Sequence, residues 1–116
     1  MYKLICYKKC STCRQVEKLM EEKQLDYDYR HIDKDNPSYE ELKTWHEKSG
    51  LDIKRFFNTS GKIYREKNLK DALKDMTLEE KYELLSQDGM LVKRPILIEE
   101  DRVYIGPDVK KYLEEK

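Results

Sequence analysis

Two thiols three residues apart, in Lys9-Cys10-Ser11-Thr12-Cys13-Arg14, carry the most specific chemistry in this sequence. A Cys-x-x-Cys pair can close and reopen a disulfide, because side chains at i and i+3 share a helix face and their sulfurs meet without unwinding the backbone. The thiolate attacks and the thiol does not, so reactivity turns on whatever favours a negative sulfur. The apolar run Leu4-Ile5-Cys6-Tyr7 precedes the pair, and Val16, Leu19 and Met20 follow it at helical spacing. The thiols therefore stand where a strand passes into a helix. Unpaired N–H groups and the positive end of the helix dipole favour a thiolate at the first cysteine there. Cys10 is accordingly the candidate nucleophile and the more acidic thiol, with Cys13 as the resolving thiol. Lys8, Lys9 and Arg14 supply a basic setting.

Other uses of these cysteines are weaker. A structural zinc site needs four ligands, and the remaining candidates, Cys6, His31 and His46, are not paired at ligand spacing, so no metal is expected. Cys6 lies inside the first strand and is expected to pack as a small apolar residue. The chain has 116 residues, enough for one domain with its own core. Lys and Arg number 24 and Asp and Glu 24, so no net field draws it to nucleic acid or to an anionic membrane. An odd cysteine count without a signal-peptide pattern argues against a secreted disulfide scaffold. No apolar run approaches the roughly 20 residues of a membrane span. A cytoplasmic monomer is expected, with no bound cofactor.

Lys3 to Tyr7 reads as a strand, Ser11 to about Lys23 as a helix, and Tyr27 to Ile32 as a second strand beside the first, a right-handed βαβ unit. Ser38 with Glu41 and Thr77 with Glu80 make capping boxes for helices in a stretch, about residues 38–88, that is helical throughout except near Asn58-Thr59-Ser60-Gly61. Lys93-Arg94-Pro95-Ile96-Leu97-Ile98 reads as a short buried strand preceded by an Arg-Pro pair, which forms a hairpin with Arg102 to Ile105, and Gly106-Pro107-Asp108 turns into a last helix from Val109 to about Glu115. The predicted class is α/β, in the order β-α-β, helical insert, β-β-α.

That order, with Cys-x-x-Cys after the first strand and a proline opening the third, resembles a thioredoxin-like fold. Lys9-Cys10-Ser11-Thr12-Cys13-Arg14, Phe57-Asn58-Thr59-Ser60-Gly61 with Tyr64-Arg65, and Arg94-Pro95-Ile96 followed by Gly106 resemble the arsenate reductase (ArsC) and Spx family over essentially the whole chain. The likeness is strongest to its small glutaredoxin-like members. The resemblance implies that Cys10 is the nucleophile, that Arg94 stands beside it and that Pro95 is the fold's cis-proline. Ser11, Thr12, Arg14 and Asn58 are candidate contacts to an oxyanion or substrate. The two further arginines with which arsenate reductases surround the oxyanion correspond to Asn58 and Gly106 here. The implied activity is glutaredoxin-like thiol–disulfide exchange, with glutathione as co-substrate or a redoxin as partner. Arsenate reduction with a depleted oxyanion site is one alternative. An Spx-like regulator that binds the RNA polymerase alpha subunit is the other.

Overall fold

A computed structural model describes residues 2–116. The chain begins with β1 (Tyr2–Cys6), α1 (Ser11–Glu22) and β2 (Tyr27–His31) and finishes with β3 (Ile96–Glu99), β4 (Arg102–Ile105) and α6 (Pro107–Glu114). The four strands form one sheet in the order β2-β1-β3-β4. β1 runs parallel to β2 and antiparallel to β3, and β4 closes an antiparallel hairpin. This is the β-α-β … β-β-α arrangement predicted above. β3 starts at Ile96, straight after the Arg-Pro pair, because Pro95 has no N–H for the ladder and the Lys93 N–H is bonded to the Phe56 carbonyl at 2.8 Å. α6 begins at Pro107, where the missing N–H costs nothing in a first helical turn.

Between the halves lie α2 (Tyr39–Ser49), α3 (Lys62–Glu66), α4 (Leu69–Ala72) and α5 (Leu78–Gln87), with short 3-10 turns at Ile53–Phe56, Leu73–Asp75 and Gly89–Leu91. Both predicted capping boxes are present. Ser38 Oγ accepts from the Glu41 N–H and Glu41 answers to the Ser38 N–H, and Thr77 and Glu80 do the same for α5. Each such cap is worth about 1 kcal/mol. Arg30 on β2 grips Glu41 with both Nη atoms, at 2.6 and 2.9 Å, and so ties α2 to the edge strand.

Strand alternation divides the core into two layers. Tyr2, Leu4 and Cys6 of β1 face α1 and α6, where they meet Cys13, Val16, Met20, Val109 and Leu113. Ile5, Ile96 and Ile105 face the other way, onto Leu42, Phe56, Tyr82 and Leu85 of the insert. No helix among the described residues is long and apolar enough to cross a membrane.

Candidate functional site

Cys10 is the N-cap of α1, in an extended conformation (φ −88°, ψ 122°). Its N–H bonds to the Tyr7 carbonyl at 3.0 Å, and its carbonyl accepts the Arg14 N–H at 3.1 Å. The side chain makes no capping bond, so Sγ is free to react. All three cysteines are free thiols, but only Cys10 is half-exposed; Cys6 and Cys13 are both 0% exposed. Access singles out Cys10.

Acidity singles out another sulfur. Cys6 and Cys13 lie against each other, because alternation turns Cys6 toward the face on which α1 packs. The Cys6 thiol donates to Cys13, and this is the main cause that brings Cys13 down to about 7. Burial opposes it, while the Tyr7 N–H, at 3.4 Å from Cys13 Sγ, the Cys10 thiol and the Arg94 charge all act with it. Cys6 moves the opposite way, held as a thiol by its bond to Cys13 and by burial. These donors gather at Cys13, one turn into α1. Cys6 is packed in the core as expected, but it also acts on the site, and its lettering within β1 already put it on the same sheet face as Leu4.

Arg94 acts on Cys13 through its charge. Its peptide bond to Pro95 is cis. Nη1 donates to the carbonyls of Met90 and Val92 at 3.4 and 3.3 Å, and the guanidinium lies 5.2 Å from the Tyr7 ring centroid. Its buried Nε has no partner among the described residues. A buried N–H without an acceptor costs about 1–3 kcal/mol. Pro95 is buried, and its carbonyl takes the Gly106 N–H at 2.8 Å. Gly106 has φ +60° and ψ −133°, open only to glycine, and a Cβ there would stand 3.0 Å from Lys93 Cε. Thr12, Gln15, Arg94, Gly106 and Lys110 line a cavity of about 230 Å³ at this end of α1.

The structure thus brings Cys10, Cys13, Thr12, Arg94 and Pro95 together. Ser11 and Arg14 are exposed on the first turn of α1. Asn58 is occupied with its own turn, its N–H on the Leu91 carbonyl at 2.7 Å and its Oδ1 accepting from Ser60 at 3.4 Å, and it does not line that cavity.

Residues 6–114 match the family described as ArsC. The chain belongs to the ArsC family. This ArsC-family chain is similar to the uncharacterized protein YusI of Bacillus subtilis, 51% identical over 86% of this chain and 85% of that protein. It is 30% identical to the regulatory protein MgsR of Bacillus subtilis, over 86% of this chain and 78% of that protein. Among solved structures it resembles an ArsC family related protein from Bacteroides fragilis, with a TM-score of 0.92, 42% identity, and coverage of 99% and 97%. A possible arsenate reductase from Streptococcus mutans is similar at a TM-score of 0.86 and 44% identity, over 92% and 91%. ArsC relatives thus include regulators and arsenate reductase-like proteins, and the α/β fold is shared with them.

Proposed function

We propose that this protein is a glutaredoxin-like thiol–disulfide oxidoreductase. The Cys10 thiolate attacks one sulfur of a substrate disulfide RS–SR′, forming Cys10–S–S–R and releasing R′S⁻. The Cys13 thiolate then attacks Cys10 Sγ, releasing RS⁻ and leaving the Cys10–Cys13 disulfide, so two electrons pass to the substrate. Two glutathione thiols, or a redoxin dithiol, restore the pair. The observation that carries this reading is the division of labour between an accessible Sγ at a helix N-cap and a buried neighbour near pKa 7. An attacking thiol is most effective when its pKa lies near the ambient pH. Arg94, with its unpartnered Nε, would hold the charge of the leaving thiolate. The test is turnover of a glutathionylated peptide coupled to glutathione or a redoxin. Cys10→Ser should abolish it, and Cys13→Ser should accumulate a Cys10 mixed disulfide visible by mass spectrometry. Turnover by Cys10→Ser would overturn the assignment.

The likeness to MgsR favours a second reading, a redox-switched regulator. On that reading the disulfide forms without turnover, and affinity for purified RNA polymerase alpha subunit changes between the dithiol and disulfide forms. Arsenate reduction is disfavoured by the guanidinium count: Arg94 is the one arginine that lines the cavity, with Lys93 and Lys110 beside it, Gly106 cannot carry an arginine at its φ, and Asn58 faces its own turn. Charge-assisted bonds of about 1.5–3 kcal/mol each are then missing from the oxyanion.

A further inference from the structure

The cavity beside Arg94, which Thr12 and Gln15 of α1 line next to the Cys10–Cys13 turn, does not stand alone. It shares Lys93 and Pro107 with a second concavity of about 500 Å³, which shares Asp52, Lys54 and Phe57 with a third of about 210 Å³ in the insert. The three make one open trough leading from the first turn of α1, past the start of α6, to α4 and α5. Its walls are of one sign. Arg94, Lys93 and Lys110 stand at the thiol end, Lys54 and Arg55 in the middle, and Lys70, Lys74 and Lys81 at the far end, against the single carboxylate of Asp52. In a chain of zero net charge this is segregation and not composition. Arg55 is paired with Asp108 at 2.8 Å and Lys74 with Asp71 at 3.7 Å, while Lys54, Lys70, Lys81 and Lys93 have no ion pair among the described residues.

We propose that the trough is a docking site for an acidic polypeptide segment that presents its disulfide to Cys10; this deepens the thiol–disulfide reading and rests on it. Charge complementarity identifies the occupant as acidic. The chemistry identifies it as polypeptide: the occupant must itself carry the disulfide that Cys10 attacks, as a cysteine-bearing segment does. Single-stranded nucleic acid needs aromatic faces on which bases can stack, and Phe57 and Tyr64 are only 1% and 6% exposed. A small thiol compound would fill the Arg94 cavity alone and leave the lysines beyond it unused.

The test compares two glutathionylated substrates of the same protein: a peptide alternating glutamate and leucine, and its glutamine counterpart. In the wild type the acidic peptide should have the higher kcat/KM, with a preference that fades as salt rises. Lys54→Glu/Lys70→Glu/Lys74→Glu reverses three exposed charges in the trough. It should cut the acidic-to-neutral ratio by about tenfold, the combined effect of several screened surface charges. Lys18→Glu/Lys34→Glu/Lys43→Glu changes net charge equally but lies outside the trough, and should leave the ratio near the wild-type value. Equal effects from the two triple variants would overturn the proposal. So would tighter binding of a labelled oligonucleotide than of the acidic peptide in the trough. Fluorescence anisotropy of the acidic peptide with its cysteine blocked needs no chemistry. Binding lost in the trough variant but retained in the other variant, in a protein that turns over neither substrate, would refute the enzyme reading and keep the dock.

Discussion

The three cysteines differ by position more than by chemistry, and each should report its position. Cys13 is held near pKa 7, so the step in which it expels thiolate from the Cys10 mixed disulfide should quicken with pH and level off above about 7. Stopped-flow release of a chromogenic thiol from the preformed mixed disulfide measures this. A rate still climbing in proportion to hydroxide between about pH 8 and 9 would show an ordinary thiol. Because the Cys6 thiol is the main donor to Cys13, Cys6→Ala should move the plateau to higher pH, whereas Cys6→Ser keeps a donor and should move it less. The place of the two thiols, where a strand hands over to α1, was legible from the apolar run before them and the helical spacing after them. The acidity was not, because it depends on a sulfur contributed by a strand seven residues earlier in numbering than Cys13.

At the scale of elements, two joints hold the site's frame. Gly106 links β4 to α6 while its N–H clamps Pro95, and its backbone is closed to side chains. Gly106→Ala should therefore destabilise the fold by about 1–3 kcal/mol, read as a lower urea midpoint with an unchanged slope. The Arg30–Glu41 joint is a matter of pH. The Arg30 guanidinium holds the Glu41 carboxyl down to about 2, with Ser38 assisting and burial opposing. A carboxyl lower in the folded state stabilises above its ordinary value of 4.5, and that contribution is lost as pH falls from there toward 2. Glu41 is 39% exposed, so screening keeps the effect to about 1 kcal/mol or less. Glu41→Gln should flatten the acid limb of stability by that amount, as chemical denaturation between about pH 5 and 2.5 would show. Capping boxes and strand alternation are local rules, and for that reason the element order and the starts of α2 and α5 could be read from letters. The anchoring of the chain ahead of β3 could not, since the Lys93 N–H is claimed by Phe56, a partner from the distant insert. The turn at Asn58 was foreseen as a break, but which way its side chain points depends on Ser60 and Gly61.

For the whole molecule, charge balance in number conceals imbalance in space. The thiol end of the sheet, where Ile5 pairs with Ile96, adjoins the trough of lysines and arginines. The opposite end, where Tyr2 pairs with Glu99, carries the hairpin tip Glu99-Glu100-Asp101. At the hairpin end Arg102 stands beside the carboxylates and Lys48 pairs with Asp101 at 3.5 Å, whereas the trough holds lysines without ion pairs among the described residues, so a positive patch persists at zero net charge. The protein's behaviour on charged supports should contradict its titration curve: with a sequence pI of 6.7 it ought to run through a sulfonate column at pH 7.5, yet the basic end can face the resin while the acidic end faces buffer. We expect measurable retention at low ionic strength, lost in Lys54→Glu/Lys70→Glu/Lys74→Glu. A quaternary-amine column should retain the wild type as well, through the hairpin end. A protein that adheres to both exchangers near its isoelectric point would be turning one preferred face to each, and a surface of fixed polarity is an orienting device: partners meet it already aligned.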